Sequence, residues 1–431
     1  MKNKRRDFLK AAGMTSLGIA SGGLSNVFGS TLQNSNSMDV FAADYSIAPN
    51  KNTSIIGAYG NWAAGLTENT LPELSFRKPE FNSLDNWKKQ ARVRLAERLA
   101  TPDLGPAPTP KVVKQYSYDG LHIEELTWQL PYGPPTTALL LKPLNATGRL
   151  PAILALHDHG GAKYFGTRKI TRVSDKLHPL IIEHQREYYE NRAWANEMAK
   201  RGYVVLVPDA FPFASRRVML NDIEPAFLRN GLNDDDPEDP DNIKKYNAWA
   251  ADHEHILSKS LYSAGTTWPG VFFAEDQKAL DVLTSRPDVD TSNVGCGGLS
   301  GGGMRTVFLA GQDDRIKCAV CVGFMTTWRD FVLHKAYTHT WMTYVPILPK
   351  ELDFPEILGL RIPLPTMVLN DSDDQLYTID EMKKADQMLQ DVFAKGGASD
   401  RYKCSFYPGL HKFDKKMQLD AFDWFDKWLK A

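Results

Sequence analysis

The chain has 431 residues, of which 42% are hydrophobic and 24% charged, with a formal net charge of −1. That length can bury a large core, as one big α/β domain with additions or as two domains. Balanced charge with no basic stripe gives no footing to a nucleic-acid or polyanion binder, and without about 18 consecutive apolar residues there is no membrane span.

Residues 1–43 read as an export signal rather than as fold. Lys4-Arg5-Arg6-Asp7-Phe8-Leu9-Lys10 resembles the twin-arginine motif, and a weakly apolar Gly/Ser/Ala-rich segment follows from Ala11 to Gly29. The alternative, a basic amphipathic surface helix, is opposed by Gly13, Gly18, Gly22 and Gly23. Cleavage could follow Gly29 or fall near Ala42-Ala43. This reading makes the export machinery a partner and places a bacterial protein in the periplasm or beyond. Residues 44–110 form an N-terminal segment, irregular over 44–80 where Pro, Asn and Gly abound. A packing helix follows, capped by Ser83, with Leu84, Trp87, Ala91, Leu95 and Leu99 on one face. Pro102 to Pro110 is a proline-rich linker.

The core domain spans 111–431. Val112 to Tyr118, Leu121 to Leu130 and Thr136 to Leu144 read as successive strands. The apolar run Pro151 to Leu156 reads as a strand buried on both faces, ending in His157-Asp158-His159-Gly160-Gly161. Glu187 to Arg201 is helical up to Gly202, and Tyr203 to Val207 is another buried strand ending at Pro208-Asp209. Such alternation predicts a mostly parallel sheet with crossover helices. An insertion over about 211–265 carries the acidic run 234–241, which reads as a solvated loop ahead of a calcium loop. Phe273 to Leu283 is helical, and Asp290 to Cys296 is the strand that leads into a glycine cluster.

In that cluster Gly298-Leu299-Ser300-Gly301-Gly302 fits G-x-S-x-G, and a helical pattern begins at once with Met304, Val307, Phe308 and Leu309. This is the pattern of a nucleophile elbow, in which a strained strand-to-helix turn exposes the serine hydroxyl. A dinucleotide loop is the rival, since Gly295-x-Gly297-x-x-Ser300 nearly fits G-x-G-x-x-G. It wants an acid about 20 residues on, at the end of the next strand. That strand, 316–325, ends in Val322-Gly323-Phe324-Met325 without one. Cys318 and Cys321 lie three apart on it and therefore face opposite sides, roughly 10 Å apart, unable to bridge or to share a metal.

A second insertion, about 326–360, is rich in aromatics and histidines. Its Trp328, His339 and Trp341, with His159 of the earlier loop, are candidate substrate contacts. Pro365 to Leu369 and Lys403 to Tyr407 are the last strands, with helices from Asp380 to Ala394 and Leu419 to Leu429. A serine needs a base, and the base an acid, in the order Ser, Asp/Glu, His on this kind of sheet. Asp371, Asp373 and Asp374 share the loop after strand 365–369, with Asp374 favoured as the acid; His411 follows the last strand. Loops at the carboxyl ends of parallel strands share one rim, so the three can converge. An oxyanion hole would take the Gly301 N–H and one from the loop after strand 151–156, with Gly161 chosen and Gly160 or Ala162 as alternatives. His157-Asp158-His159 and His253-Glu254-His255 could be metal clusters, but no third ligand is placed for either, and no metal is assigned.

With these residues in place, the chain over about 85–430 resembles the α/β-hydrolase superfamily, specifically its exported bacterial acetylxylan-esterase-like and dienelactone-hydrolase-like branch. The likeness rests on Pro151–Gly161, Asp209, Ser285-Arg286-Pro287-Asp288-Val289-Asp290, Gly298–Gly302, and the loops of Asp374 and His411. Asp371 stands at the family's glycine-like turn position and Gln375 where a proline is usual, and three glycines after the serine are more than the family needs. The resemblance implies the α/β-hydrolase fold with two cap-like insertions, and hydrolysis of a carboxylic ester by Ser300, His411 and Asp374 without a cofactor. It points to a small-molecule or oligosaccharide ester as substrate. A prolyl-oligopeptidase-type peptidase shares the elbow and chain order but normally carries a large propeller in front. A non-catalytic binding protein on this fold would be expected to lack a triad member.

Overall fold

The computed structural model describes residues 54–68, 70–228, 232 and 238–430. The signal region 1–43 and much of the acidic run 234–241 lie outside the described residues. In the segment expected to be irregular, the described residues include a helix, α1 (Tyr59–Glu68). Next comes α2 (Leu84–Leu99), where the Ser83 hydroxyl accepts the Asn86 N–H and Trp87, Ala91, Leu95 and Leu99 are buried. Trp87 donates to the Leu74 carbonyl at 2.6 Å and stacks on Phe76.

Nine strands form one sheet: β1 (Lys111–Tyr118), β2 (Leu121–Trp128), β3 (Thr136–Pro143), β4 (Leu150–Ala155), β5 (Val204–Pro208), β6 (Val289–Leu299), β7 (Cys318–Val322), β8 (Thr366–Asp371) and β9 (Tyr402–Tyr407). Their spatial order is β1-β2-β3-β5-β4-β6-β7-β8-β9. The first three pairings are antiparallel and all others parallel. The parallel strands β5 and β7 are buried along their whole length, as strands covered on both faces must be.

Residues 187–201 were expected to be a single helix but are not. α3 (Pro179–Tyr189) begins at a proline, where the missing N–H costs nothing, and stops where Glu190 and Asn191 both take positive φ; α4 (Trp194–Lys200) then starts afresh. In the first insertion α5 (Pro240–Ser263) is a long helix capped by the Asp239 carboxylate. It is followed by α6 (Trp268–Thr284), by α7 (Gly301–Gln312) directly after Ser300, and by α8 (Phe354–Gly359), α9 (Ile379–Lys395) and α10 (Lys415–Leu429).

Two cores sandwich the sheet. One packs α2, α6, α7, α8 and α9 on one face, the other α3, α4 and α10 on the opposite face. Cys321 belongs to the first core and Cys318 to the second, and both are free thiols. The parallel strands β4, β6, β7, β8 and β9 all deliver their carboxyl ends to one rim, which brings together five connections distant in sequence.

Candidate active site

Strand β6 runs straight into Ser300, which holds φ 57° and ψ −116°. A non-glycine residue in such a conformation costs on the order of 1–3 kcal/mol and persists only where its surroundings fix it. Here the Ser300 N–H donates to the Val322 carbonyl at 2.8 Å and its own carbonyl accepts from Met304. The hydroxyl makes no helix-capping bond. Each glycine around it meets a wall that leaves no room for a side chain. A Cβ at position 298 or 302 would lie 2.1 or 2.2 Å from the Leu156 carbonyl oxygen, and one at 303 would lie 2.6 Å from that of Val322. A Cβ at 301 would sit 3.1 Å from the His159 backbone nitrogen and 3.0 Å from Met342 Cε. The surplus of glycine thus has a packing cause: the elbow is pressed between strands β4 and β7 and against the loop after β4.

The acid and the histidine meet. His411 Nδ1 lies 2.7 Å from Asp374 Oδ2, and the other Asp374 oxygen accepts the Leu376 N–H at 2.9 Å. The two neighbouring acids clamp the loops. Asp373 accepts the Gly409 N–H at 2.8 Å and Asp371 that of Lys412 at 3.0 Å, which ties the acid loop to the histidine loop on both sides of His411. Burial pushes the Asp371 carboxyl up to about 7, against the pull of the Lys412 N–H and the His411 ring. Burial of His411 disfavours its charged form, but the Asp374 carboxylate, with Asp371 and Asp158 adding, more than reverses this and raises its pKa. The second ring nitrogen, Nε2, is buried and has no hydrogen-bond partner among the described residues. The ring lies on Gly323, which follows β7 with φ 57°; a Cβ there would come within 2.9 Å of His411 Cε1 and of Leu299 Cδ1. Sequence reasoning missed Gly323 as a site residue. Its signal was a glycine directly after the strand next to the elbow strand.

The loop after β4 corrects one expectation. The Gly161 N–H, expected in the oxyanion hole, donates instead to His159 Nδ1 at 3.1 Å, inside its own loop. The amide that faces the elbow is that of His159, which lies against Gly301 and makes no hydrogen bond among the described residues. Gly301 begins α7, so its own N–H has no partner within the helix. Beneath this loop Asp158 accepts from the Tyr189 hydroxyl and from His184 Nε2 at 3.2 Å, while Lys169 Nζ donates at 2.8 Å to both the Asp158 and His159 carbonyls. Burial would raise the Asp158 pKa, but His184 and Lys169 hold it well below the usual carboxylate range.

His253-Glu254-His255 lies on α5, where alternate residues point in nearly opposite directions. His253 stacks on Trp249 and His255 contacts Lys259, whereas Glu254 turns inward. Its Oε1 takes His159 Nε2 at 3.0 Å and the Lys163 ammonium, and its Oε2 the Trp341 N–H at 3.3 Å. Among the described residues no three His, Cys, Asp or Glu side chains are grouped to share a metal ion.

The aromatic candidates divide. Trp328 is a core residue: its ring packs on Phe354 with centroids 3.8 Å apart and its Nε1 donates to the Leu352 carbonyl, so it cannot present a face to a substrate. His339 is wedged between Phe331 and Tyr377 and bonds the Leu376 carbonyl at 2.9 Å, two residues past Asp374. Burial drops its pKa to about 3, so it supports the acid loop as a neutral ring. Trp341 is 40% exposed, and its neighbour Met342 touches the elbow at Gly301.

Comparison with known proteins bears on the fold that carries these residues. Residues 257–356, which include the elbow, match the prolyl oligopeptidase family. A Bacillus subtilis (strain 168) protein named as a hydrolase, YtaP, is 26% identical over 310 residues, 71% of this chain and 88% of its own. Among solved structures, a candidate acetyl xylan esterase of Bacteroides fragilis superimposes with a TM-score of 0.60 at 17% identity, covering 84% of each chain. A glucuronoyl esterase from Solibacter usitatus does so with a TM-score of 0.55 at 15% identity, covering 83% of this chain and 97% of its own. The strand order, the strand-turn-helix at Ser300 and these likenesses together give this chain the α/β-hydrolase fold.

Proposed function

We propose that the protein is a serine hydrolase of carboxylic esters that works through an acyl-enzyme. The observation that carries the reading is the 2.7 Å contact of His411 with Asp374, made by a ring that lies on Gly323 and whose other nitrogen has no partner among the described residues. Ser300 Oγ attacks the ester carbonyl carbon while His411 Nε2 takes its proton, and Asp374 stabilises the imidazolium. The negative oxygen of the tetrahedral intermediate is held by the Gly301 and His159 N–H groups. Collapse breaks the bond to the alcohol, which leaves with the proton from His411. Water, deprotonated by the same ring, then attacks the acyl-serine and frees the acid. General base catalysis contributes about 10²–10⁴ and an oxyanion donor about 10²–10³ in rate.

The substrate class we infer is an acylated carbohydrate. One structural neighbour is named for an ester of that class and the other for the ester of a sugar acid, and Trp341, exposed and next in sequence to the Met342 that meets the elbow, offers an aromatic surface to a sugar. Export through the signal read in residues 1–43 belongs to the same proposal, as access to such a polymer requires. The test is hydrolysis of p-nitrophenyl acetate and acetylated xylan by wild type beside Ser300→Ala; equal turnover by the variant would end the mechanism. The match to the prolyl oligopeptidase family favours a second reading, a peptidase. Cleavage of aminoacyl-anilides without cleavage of esters would select it.

A further inference from the structure

We propose that Glu254 is a positioning residue of this site. From the long helix of the first insertion it acts through His159, fixing the ring and hence the loop whose backbone N–H completes the oxyanion hole. The proposal rests on the ester-hydrolase reading above and goes beyond it in giving α5 a part in the chemistry.

The hydrogen bonds around His159 leave one choice of tautomer. Its Nδ1 accepts the Gly161 N–H at 3.1 Å, so Nδ1 carries no proton. The neutral ring then bears its proton on Nε2, which donates to Glu254 Oε1 at 3.0 Å. Lys163 Nζ is 3.2 Å from the same Nε2, but two N–H groups cannot bond each other, so the ammonium serves Glu254. Burial lowers the His159 pKa, with the Lys163 charge adding, in keeping with a neutral ring. Burial would raise the Glu254 pKa, yet the His159 and Lys163 bonds hold it at about 2, so it stays an acceptor. The rest of the residue is held as firmly. Its carbonyl accepts from Lys169 at 2.8 Å and from Ala162 at 3.1 Å, and its ring packs edge-on against Phe213 with centroids 5.5 Å apart. Only the His159 N–H is left without a partner among the described residues, and it is the group next to Gly301. A ring released from Glu254 could turn about its χ angles and drop the Gly161 bond, which loosens the turn that presents that N–H. An oxyanion donor displaced by even half an ångström loses much of its worth.

A buried ion pair complicates single substitutions, because removing one partner strands the other charge. Replacing both by apolar residues of similar size is often neutral for folding, so the decisive variant is Glu254→Leu with Lys163→Met. On p-nitrophenyl acetate its kcat should fall on the order of ten- to a hundredfold, below the cost of deleting a donor outright, with KM within about twofold. Inhibition by a trifluoromethyl ketone, whose hemiketal oxyanion needs the hole, should weaken by the same factor. Glu254→Gln with Lys163→Met returns an acceptor for the His159 Nε2–H without the charges and should recover most of the rate, leaving only the longer Trp341 contact unmade. Glu254→Asp, which keeps the charge but shortens the arm, should lose kcat several-fold and serves as the test if the apolar pair does not fold. Wild-type kcat in the apolar pair or in Glu254→Asp overturns the proposal. So does an equal loss in both double variants, which would make the pair structural, or a loss of kcat with unchanged ketone affinity. Full activity of Ser300→Ala in the same assay would overturn the underlying hydrolase reading instead.

Discussion

The two sides of the site are built differently. The histidine side is local and redundant: Asp371 ends β8, Asp373 and Asp374 follow on the next loop, and each makes a contact to the loop of His411. The oxyanion side is assembled from far apart. The loop after β4 meets Glu254, 95 residues later on α5, through the His159 ring, while from the second insertion the Trp341 N–H bonds that glutamate and Met342 lies against Gly301. Under the proposed mechanism the second side would couple the insertions to the oxyanion, so a change there should reach both substrate choice and rate.

The comparison predicts its largest effect at the elbow where the two sides meet. Ser300→Ala should cost about 10⁶ in kcat, leaving only what binding and the oxyanion donors supply, and should abolish labelling by a fluorophosphonate. Next comes Asp374→Asn, at about 10⁴. Its pH profile carries a sign. Burial lowers the His411 pKa and the carboxylate raises it, with the raising effect dominant. In wild type the acid limb of kcat/KM should therefore lie above the ordinary imidazole value, and in Asp374→Asn it should move below it. Asp371→Asn should leave kcat within a few fold, because its main bond, to the Lys412 N–H, can be kept by the amide oxygen. If Asp371→Asn proved the more damaging, the acid would have been misassigned.

The histidine side was also the legible one. Strand order and chain order are enough to bring Ser300, an aspartate of 371–374 and His411 to one rim, because loops at the carboxyl ends of neighbouring parallel strands have nowhere else to go. Which aspartate faces the ring was harder, as one residue of turn geometry reverses a side chain. The oxyanion side was misread. The motif after β4 pointed to Gly161, whose N–H is engaged by the His159 ring, and the other nitrogen of that ring meets a glutamate with no local signature. Between two histidines Glu254 invited a metal reading, and only the helical turn of α5 separates it from them. Trp328 was misread for a related reason: an aromatic in an insertion looks like a binding surface until the core it fills is known. The break between α3 and α4 was invisible because Glu190 and Asn191 do not advertise positive φ as glycine does.

A smaller, structural effect tests how tightly the two sides are joined. Gly302→Ala would place a Cβ 2.2 Å from the Leu156 carbonyl oxygen, a backbone atom directly after β4 that cannot swing away. Separating elbow and strand should cost about 1–3 kcal/mol of stability, read as a lowered midpoint in thermal unfolding. An unshifted midpoint would mean that β4 and α7 are less closely packed than the two sides require.

The smallest effect isolates substrate from chemistry. Trp341 is tied to Glu254 through its backbone N–H, so Trp341→Ala removes the exposed ring and leaves that bond possible. If the ring serves a sugar, its loss forfeits a stacking contact worth about 0.5–1.5 kcal/mol, roughly a two- to tenfold rise in KM for acetylated xylan. KM and kcat for p-nitrophenyl acetate, which has no sugar to stack, should stay near wild type, and Trp341→Phe should restore part of the difference because a smaller flat face remains. A parallel loss on both substrates would give the opposite lesson. Trp341 would then be holding Met342 against Gly301, and the second insertion would contribute to the oxyanion side by packing alone.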